Sequence, residues 1–466
     1  MKKFLFLFVL FIFPCLEAYS TSKDVPFLDS DPEKIISEME TNSNKVVEGH
    51  VEKNIVMSLS NCIRLALGNN PEISSAFQDI LATDAQIKQT WSNFFPQIGW
   101  QTSYTHIKQL QLSDALNRNL QYDYYILGQA SLQQLLYDFG VTQNEATILR
   151  LGYQANIKTF METVNSVIRD TKDAYYKLLY CYEAEQVAQR NVDNYQQFYD
   201  QAKAFYTTGL NPKIDVTIAL SNLSRSKLQL ISAQNDINTA IANLNYIMGI
   251  PRLTPYKLSE SLEFSPIDIS FDDTVEIAKK SRPDLKRSLI LLEQARQNVK
   301  LAQKAFMPTI TAQGEYQRGG KHWTSNDGWN IGLALNFTGI NVAQIINNIN
   351  EARYLYDKQI AEAKKMQNDV FLEIQTAFIK LNEKSNQLPV AILQLKQSKE
   401  NFELSFGRYR VGVASPIEYR EAENTYTSAQ LTYYNALYEY NSAKADLEKA
   451  IGTNLPKSAS VVDLEK

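Results

Sequence analysis

The chain has 466 residues, of which 47 are basic and 51 acidic, so its formal net charge is −4. This charge argues against nucleic acid as a partner, because proteins that bind it carry basic surfaces. The three histidines are scattered, and the sequence has no HExxH motif, no glycine-rich phosphate loop and no nucleophile elbow. We therefore predict that the protein is not an enzyme and uses no cofactor or metal.

The first 20 residues have the features of a secretory signal peptide. Lysines precede the unbroken apolar run Phe4–Phe13, and small residues occupy the cleavage positions near Ser20. The apolar run is too short to span a bilayer. Cys15 leaves lipidation as an open question, since no small residue stands directly before it. Residues 21–57 are polar and mixed, and we predict that they form an N-terminal extension.

The rest of the chain contains one pattern twice. Residues 59–104 correspond without a gap to residues 271–316, at an offset of 212, and a further correspondence at an offset of 203 covers the later part of each copy. A duplication of this length indicates two copies of one structural unit. The predicted parts are the signal peptide 1–20, the extension 21–57, the first repeat 58–250 with a hairpin at 96–138, an equatorial linker 251–270, the second repeat 271–452 with a hairpin at 308–338, and a tail 453–466.

Four segments, two in each repeat, alternate between polar and apolar residues. They follow Pro96 and Pro308, where the period of the pattern changes from helical to two. Each segment is roughly ten residues long, the length that a tilted membrane strand needs. A half-buried hairpin of a soluble protein gives the same alternation. The recurrence of the hairpins and the aromatic residues near the strand ends favour membrane strands.

Each repeat also contains a long helical segment followed by a return helix. From Ile157 to Tyr206 two rows of mostly apolar residues alternate at spacings of three and four, which is typical of a coiled coil, and the whole segment from Gly140 to Thr208 has no proline. The corresponding segment from Gly339 to Val411 contains Pro389, which predicts a bend or local unwinding. A helix of about 100 Å needs lateral neighbours to be stable.

The order of these features resembles the TolC-type family of outer-membrane efflux proteins, from about Ser58 to Gly452. The resemblance implies a mainly α fold with a small β part. In that fold, duplicated long antiparallel coiled-coil helices form a trimeric α-barrel, and four strands per chain contribute to a 12-stranded transmembrane β-barrel. The motifs that carry the resemblance are the helix breaks Asn70-Pro71 and Arg282-Pro283, the segments Phe95-Pro96 and Met307-Pro308 before the strands, and the helix-tip motifs Tyr206–Leu210 and Tyr409–Val413.

The resemblance also implies a function. The protein would be the outer-membrane exit duct of a tripartite efflux or type I secretion system and would extend into the periplasm. It would be a passive homotrimeric conduit that contacts outer-membrane lipid and works with a periplasmic adaptor protein and an inner-membrane transporter. The alternative from another class is a structural coiled-coil envelope protein, such as an adhesin stalk, without channel activity. The four alternating segments and the duplication disfavour that alternative.

The candidate functional residues lie where each long helix turns into its return helix. The resemblance implies that the turn residues dock the adaptor, and that nearby carboxylates and a tyrosine form an acidic ring and gate at the periplasmic end of the channel. Carboxylates at a helix start also favour the helix dipole, so a purely structural role is the alternative. Arg408 and Arg410 either pair with Glu418 or Glu421 across the turn or are solvated. The docking residues are Gly209, Leu210, Gly412 and Val413, and the gate residues are Asp215, Glu418, Glu421 and Tyr409.

Overall fold

The computed structural model describes residues 56–110, 119–210, 212–250, 256–267, 269–320, 326–337, 341–411 and 413–455. The predicted signal peptide, nearly all of the N-terminal extension, Gly412 and the end of the C-terminal tail lie outside these residues. The described chain divides into two compact units. We call the one that contains Gln78–Ile157 and Arg287–Ala363 the sheet unit, and the other, which contains Lys158–Lys286 and the described residues after Ala363, the tip unit.

The described residues are mainly helical, with one four-stranded sheet. None of the helices in the described ranges is both long and apolar enough to cross a membrane. The elements of the first half are β1 (Val56–Met57), α1 (Leu59–Asn69), α2 (Pro71–Trp91), β2 (Gln97–Leu110), β3 (Asn119–Tyr137), α3 (Val141–Thr207) and α4 (Lys213–Ile247). Those of the second half are β4 (Lys257–Leu258), α5 (Phe271–Ser281), α6 (Pro283–Gln303), β5 (Thr309–Gly320), β6 (Asn326–Asn336), α7 (Val342–Arg410) and α8 (Pro416–Ile451).

The sheet unit contains the four predicted strands as one antiparallel sheet in the order β2-β3-β5-β6. Its two edges are therefore β2 and β6. The strands of the first hairpin are longer than predicted, with 14 and 19 residues. The backbones of β2 and β3 pair as far as Leu110 and Asn119, although the alternation of residue types has ended before these residues.

The two faces of this sheet differ sharply in polarity. On one face, apolar residues and glycine form rows across all four strands, and Trp100 and Ile331 on the edge strands are 73% and 60% exposed. An exposed apolar surface of this kind marks contact with lipid or another chain. The apolar rows are Ile98, Leu132, Gly314, Ile331 and Trp100, Ala130, Tyr316, Trp329; the rows of the other face are Gln97, Gln133, Gln313, Gly332; Gly99, Ser131, Glu315, Asn330; and Gln101, Gln129, Gln317, Gly328.

Helix α7 continues through Pro389, so of the bend or local unwinding predicted there, the unwinding does not occur. Proline lacks an N–H and removes one helical hydrogen bond, which the helix tolerates where packing compensates for it. Leu388 and Ala391 on either side of the proline are buried and pack against Ala436 and Leu437 of α8. The buried contacts with α8 therefore hold the helix together at the position where its own hydrogen bonding is weakest.

Candidate functional site at the helix tips

The turn between α3 and α4 depends on a glycine in the left-handed conformation. Gly209 has φ +78°, its N–H donates to the carbonyl of Tyr206 at 3.0 Å, and the N–H of Leu210 donates to the carbonyl of Phe205 at 2.9 Å. This pair of hydrogen bonds is the Schellman arrangement that ends a helix. The side chain of Leu210 is left 72% exposed.

At the turn between α7 and α8, helix α7 ends with a hydrogen bond similar to that of Leu210 at the first turn. The N–H of Val413 donates to the carbonyl of Arg408 at 2.9 Å, and the Val413 side chain is 69% exposed. The next helix starts at a well-defined cap, since Ser415 Oγ accepts a hydrogen bond from the Glu418 N–H at 3.2 Å. Each tip therefore presents an exposed apolar side chain on a tightly hydrogen-bonded turn.

A cluster of aromatic rings lies beneath the tips in the tip unit. Tyr409 is only 5% exposed, and its ring centroid lies 5.4 Å from those of both Phe198 and Tyr419. Burial raises the pKa of Tyr409, and the nearby Asp215 carboxylate raises it further. The predicted gate tyrosine is thus packed inside its own protomer, a placement that the sequence pattern did not indicate.

The three predicted gate carboxylates have different surroundings. Asp215 lies in the first turn of α4, half-buried and near Tyr409. Glu418 Oε1 accepts from Arg408 Nη1 at 2.9 Å, with 57% of the arginine and 39% of the glutamate side chain exposed. Glu421 is exposed. The choice left open for Arg408 is therefore settled in favour of pairing with Glu418 across the turn.

One buried carboxylate near the tips was missed by the sequence reasoning. Glu423 of α8 is 1% exposed, and its Oε1 accepts a hydrogen bond from Asn194 Nδ2 of α3 at 2.8 Å. The available signal was its spacing of four residues from Tyr419, which places the two side chains on one side of α8. Across the described ranges, no group of three or more His, Cys, Asp or Glu side chains is arranged to hold a metal ion.

The sequence model of the Outer membrane efflux protein family matches residues 62–250 and 274–453, and the chain belongs to that family. Among curated proteins, it is 21% identical to the probable outer membrane lipoprotein SilC of Salmonella typhimurium, over 84% of this chain and 85% of that protein. It is 23% identical to the toxin and drug export protein A of Aggregatibacter actinomycetemcomitans, over 63% of this chain and 65% of that protein.

The fold is that of a solved outer-membrane channel. The structure superimposes on the Campylobacter jejuni CmeC outer membrane channel with a TM-score of 0.72 and 20% sequence identity, over 95% of this chain and 96% of that chain. The protein is an outer-membrane exit duct of an efflux system, located in the outer membrane and extending into the periplasm. The comparisons give no support to a structural coiled-coil protein without channel activity.

Proposed function

We propose that three copies of the chain close into one duct. Four strands from each copy would form a twelve-stranded barrel in the outer membrane, and the long helices would line a hollow cylinder in the periplasm. The observation that carries this proposal is the sheet with unpaired edges at β2 and β6. In a bilayer each unpaired backbone group costs several kcal/mol, so the edges need partners from neighbouring copies.

The two faces of the sheet support this arrangement. The exposed rows that contain Trp100 and Trp329 suit contact with lipid, and the glutamine-rich rows suit a water-filled interior. Glu315 lies in the middle of the polar face and accepts hydrogen bonds from Gln129 Nε2 at 2.7 Å and Asn330 Nδ2 at 3.2 Å. Each copy would thus bring one hydrogen-bonded carboxylate to the interior of the barrel.

The helix tips are the proposed docking surface for a periplasmic adaptor, which in turn contacts an inner-membrane transporter. Leu210 and Val413 support this role, because both are exposed apolar side chains on rigid turns. Gly209 would keep the first turn tight, and Gly412 is included in the proposed docking surface. The surface is small and apolar, so its contribution to docking would be the burial of these two side chains against the adaptor.

The neighbouring carboxylates are the proposed gate. Threefold symmetry would bring Asp215, Glu418 and Glu421 of each copy together at the periplasmic end, where they attract cations. Arg408 would temper this charge through its pair with Glu418. Tyr409 would act from beneath, by holding the packing of the helices that carry the carboxylates.

Cysteine cross-linking between the sheet edges tests the assembly. Within one chain β2 and β6 are separated by two strands, so their backbones are about 14 Å apart, too far for a disulfide. Cysteine at Gln101 would be combined in turn with cysteine at each position of β6. We expect a ladder of linked chains that stops at three.

A matched control pair lies inside the sheet. Gln129 and Gln317 are directly paired on β3 and β5, so cysteines there should link within one chain and give no ladder. The native Cys62 and Cys181 are buried and free, and can remain in place. The proposal fails if no β2–β6 combination links two chains, or if the ladder continues beyond three.

A further inference from the structure

A polar cavity of about 230 Å³ lies in the tip unit and is lined by residues of α3 and α8. Glu423 and Asn191 line it and are 1% and 6% exposed. Among the described residues, neither Glu423 Oε2 nor Asn191 Oδ1 has a hydrogen-bond partner. Two residues that line one cavity therefore each carry a buried acceptor oxygen for which the described residues supply no donor.

An ionised carboxylate is costly in these surroundings. Glu423 receives a single neutral hydrogen bond, from Asn194, and in the described ranges no lysine or arginine nitrogen lies within 4.0 Å of its carboxylate. A buried charge without a counter-charge is strongly destabilising. The charged and titratable side chains around the site are Arg190, Asp193 and Tyr195 on α3 and Tyr419 and Tyr426 on α8, with Arg225 of α4 and Arg420 of α8 acting on Tyr195.

We propose that Glu423 is a proton-binding site that ties the packing of α8 against α3 to the pH around the helix tips. Protonation turns Oε2 from an acceptor into a donor. It also removes the buried charge, so the carboxyl can stay packed between α3 and α8. Loss of the proton leaves a buried charge, which is relieved when α8 moves from α3 and admits water or the exposed side chain of Arg190.

The site is well placed to affect the tips. Tyr419, one turn before Glu423, stacks on Tyr409, and the Tyr195 hydroxyl donates to Asn424 Oδ1 at 3.0 Å. A change in the packing at Glu423 therefore reaches the aromatic cluster directly. The proton site itself does not depend on the trimer, whereas any effect on conduction rests on the proposed function.

The direction of the pH dependence follows from the burial. Burial raises the pKa of Glu423, and the hydrogen bond from Asn194 partly opposes the rise. The stabilisation from the protonated site is complete below the ordinary carboxyl pKa and is lost as the pH rises through the raised one. Glu423→Gln keeps the neutral shape at every pH and should remove this dependence.

Hydrogen exchange of the full-length protein in detergent tests the proposal at the α8 segment 419–430. At a pH below the ordinary carboxyl pKa the wild type and Glu423→Gln should exchange alike, and at alkaline pH the wild type should exchange several-fold faster. Glu403→Gln is the matched control, since Glu403 is 64% exposed, and it should follow the wild type. Equal exchange of wild type and Glu423→Gln at every pH would overturn the proposal.

Two further measurements keep the test decisive if Glu423→Gln folds poorly. Infrared difference spectra of the wild type should show a protonated carboxyl that ionises at higher pH than exposed carboxyls, and Asn194→Val should move this step to still higher pH. Absence of the step overturns the proposal. The hydrogen exchange of the wild type is also measured after a bulky organic cation has replaced sodium and potassium. A change in its rate would overturn the proposal, because it would mean that a bound metal ion, and not a proton, neutralises the carboxylate. Native mass measurement of the same samples shows whether the trimer has formed, so failure of the proposed assembly can be distinguished from failure of the proton-site proposal.

Discussion

Asn70 and Arg282 occupy equivalent positions 212 residues apart, and each ties the break between two helices to the end of a return helix. Asn70 Nδ2 donates to the carbonyl of Ile247 at 2.9 Å, and Arg282 Nη1 donates to the carbonyl of Ala450 at 2.6 Å. The two acceptors are themselves equivalent in the duplication, at an offset of 203. The repeats thus keep the same contact with different chemistry.

The arginine of the second repeat should contribute more to stability than the asparagine of the first. Arg282 is 7% exposed, and its Nη2 lies 2.5 Å from Asp284 Oδ2 and 2.7 Å from Glu373 Oε2. Arg282→Ala would remove the buried guanidinium that pairs with Asp284 and Glu373, at a cost of about 3–5 kcal/mol in the free energy of unfolding. Asn70→Ala should cost about 1–2 kcal/mol.

Denaturant unfolding followed by circular dichroism measures both changes. Arg296→Ala serves as the control, since Arg296 is 61% exposed and lies 3.5 Å from Glu293, so it should cost less than about 1 kcal/mol. An Arg282→Ala protein as stable as Asn70→Ala would show that the buried ion pairs add nothing to the contact.

Valine at Gly209 should damage docking and leave assembly intact. A β-branched residue is strained at the left-handed φ of +78°, at a cost of about 1–3 kcal/mol. An added Cβ meets no atom within 4 Å, so the strain is confined to the backbone of the turn. Export by Gly209→Val, and by the double variant with Gly412→Val, should fail while native mass measurement still finds the assembled protein. Normal export by the double variant would contradict the docking assignment.

Gly249 provides the contrasting case. Its φ is +70°, and an added Cβ would clash with the backbone oxygen of Asn69. Gly249→Ala must therefore displace the backbone at the end of α1, and we expect lower thermal stability than for Gly209→Ala. Thermal unfolding of the two alanine variants checks this order, and a less stable Gly209→Ala would refute it.

The gate carboxylates should make the channel cation-selective. The triple variant Asp215→Asn, Glu418→Gln, Glu421→Gln keeps side-chain size and removes charge. Its reversal potential in a salt gradient should therefore move sharply toward zero, the value for a channel that does not select between cations and anions. Arg408→Met should shift it the other way by releasing Glu418. High salt should weaken both effects through screening. A triple variant with wild-type selectivity would mean that these are helix-start carboxylates on the exterior.

Tyr409 should act through its ring rather than its hydroxyl. Tyr409→Phe keeps the stacking on Phe198 and Tyr419 and should leave both stability and conductance close to wild type. Tyr409→Ala should destabilise the tip by about 3–5 kcal/mol and raise the frequency of channel opening. Equal behaviour of the two variants in unfolding experiments and single-channel recordings would contradict a packing role.

The parts of this fold that the sequence predicted best are those set by local patterns. Helix α3 was expected between Gly140 and Thr208 and runs from Val141 to Thr207, because coiled-coil spacing and the lack of proline are local properties. The length of β3 was underestimated, since pairing with β2 continues beyond the alternation. The burial of Glu423 and the pairing of Arg408 depend on residues that only the fold brings close, so no local pattern revealed them.

Planar-bilayer recording of the purified protein tests the central claim most directly. A protein that closes its sheet edges through three copies should conduct ions in steps of uniform size, and native mass measurement of the same sample should give three chains. The current should depend on assembly, so a variant that blocks the β2–β6 edges should give none. A sample that is monomeric in mild detergent and gives no current in bilayers would contradict the account.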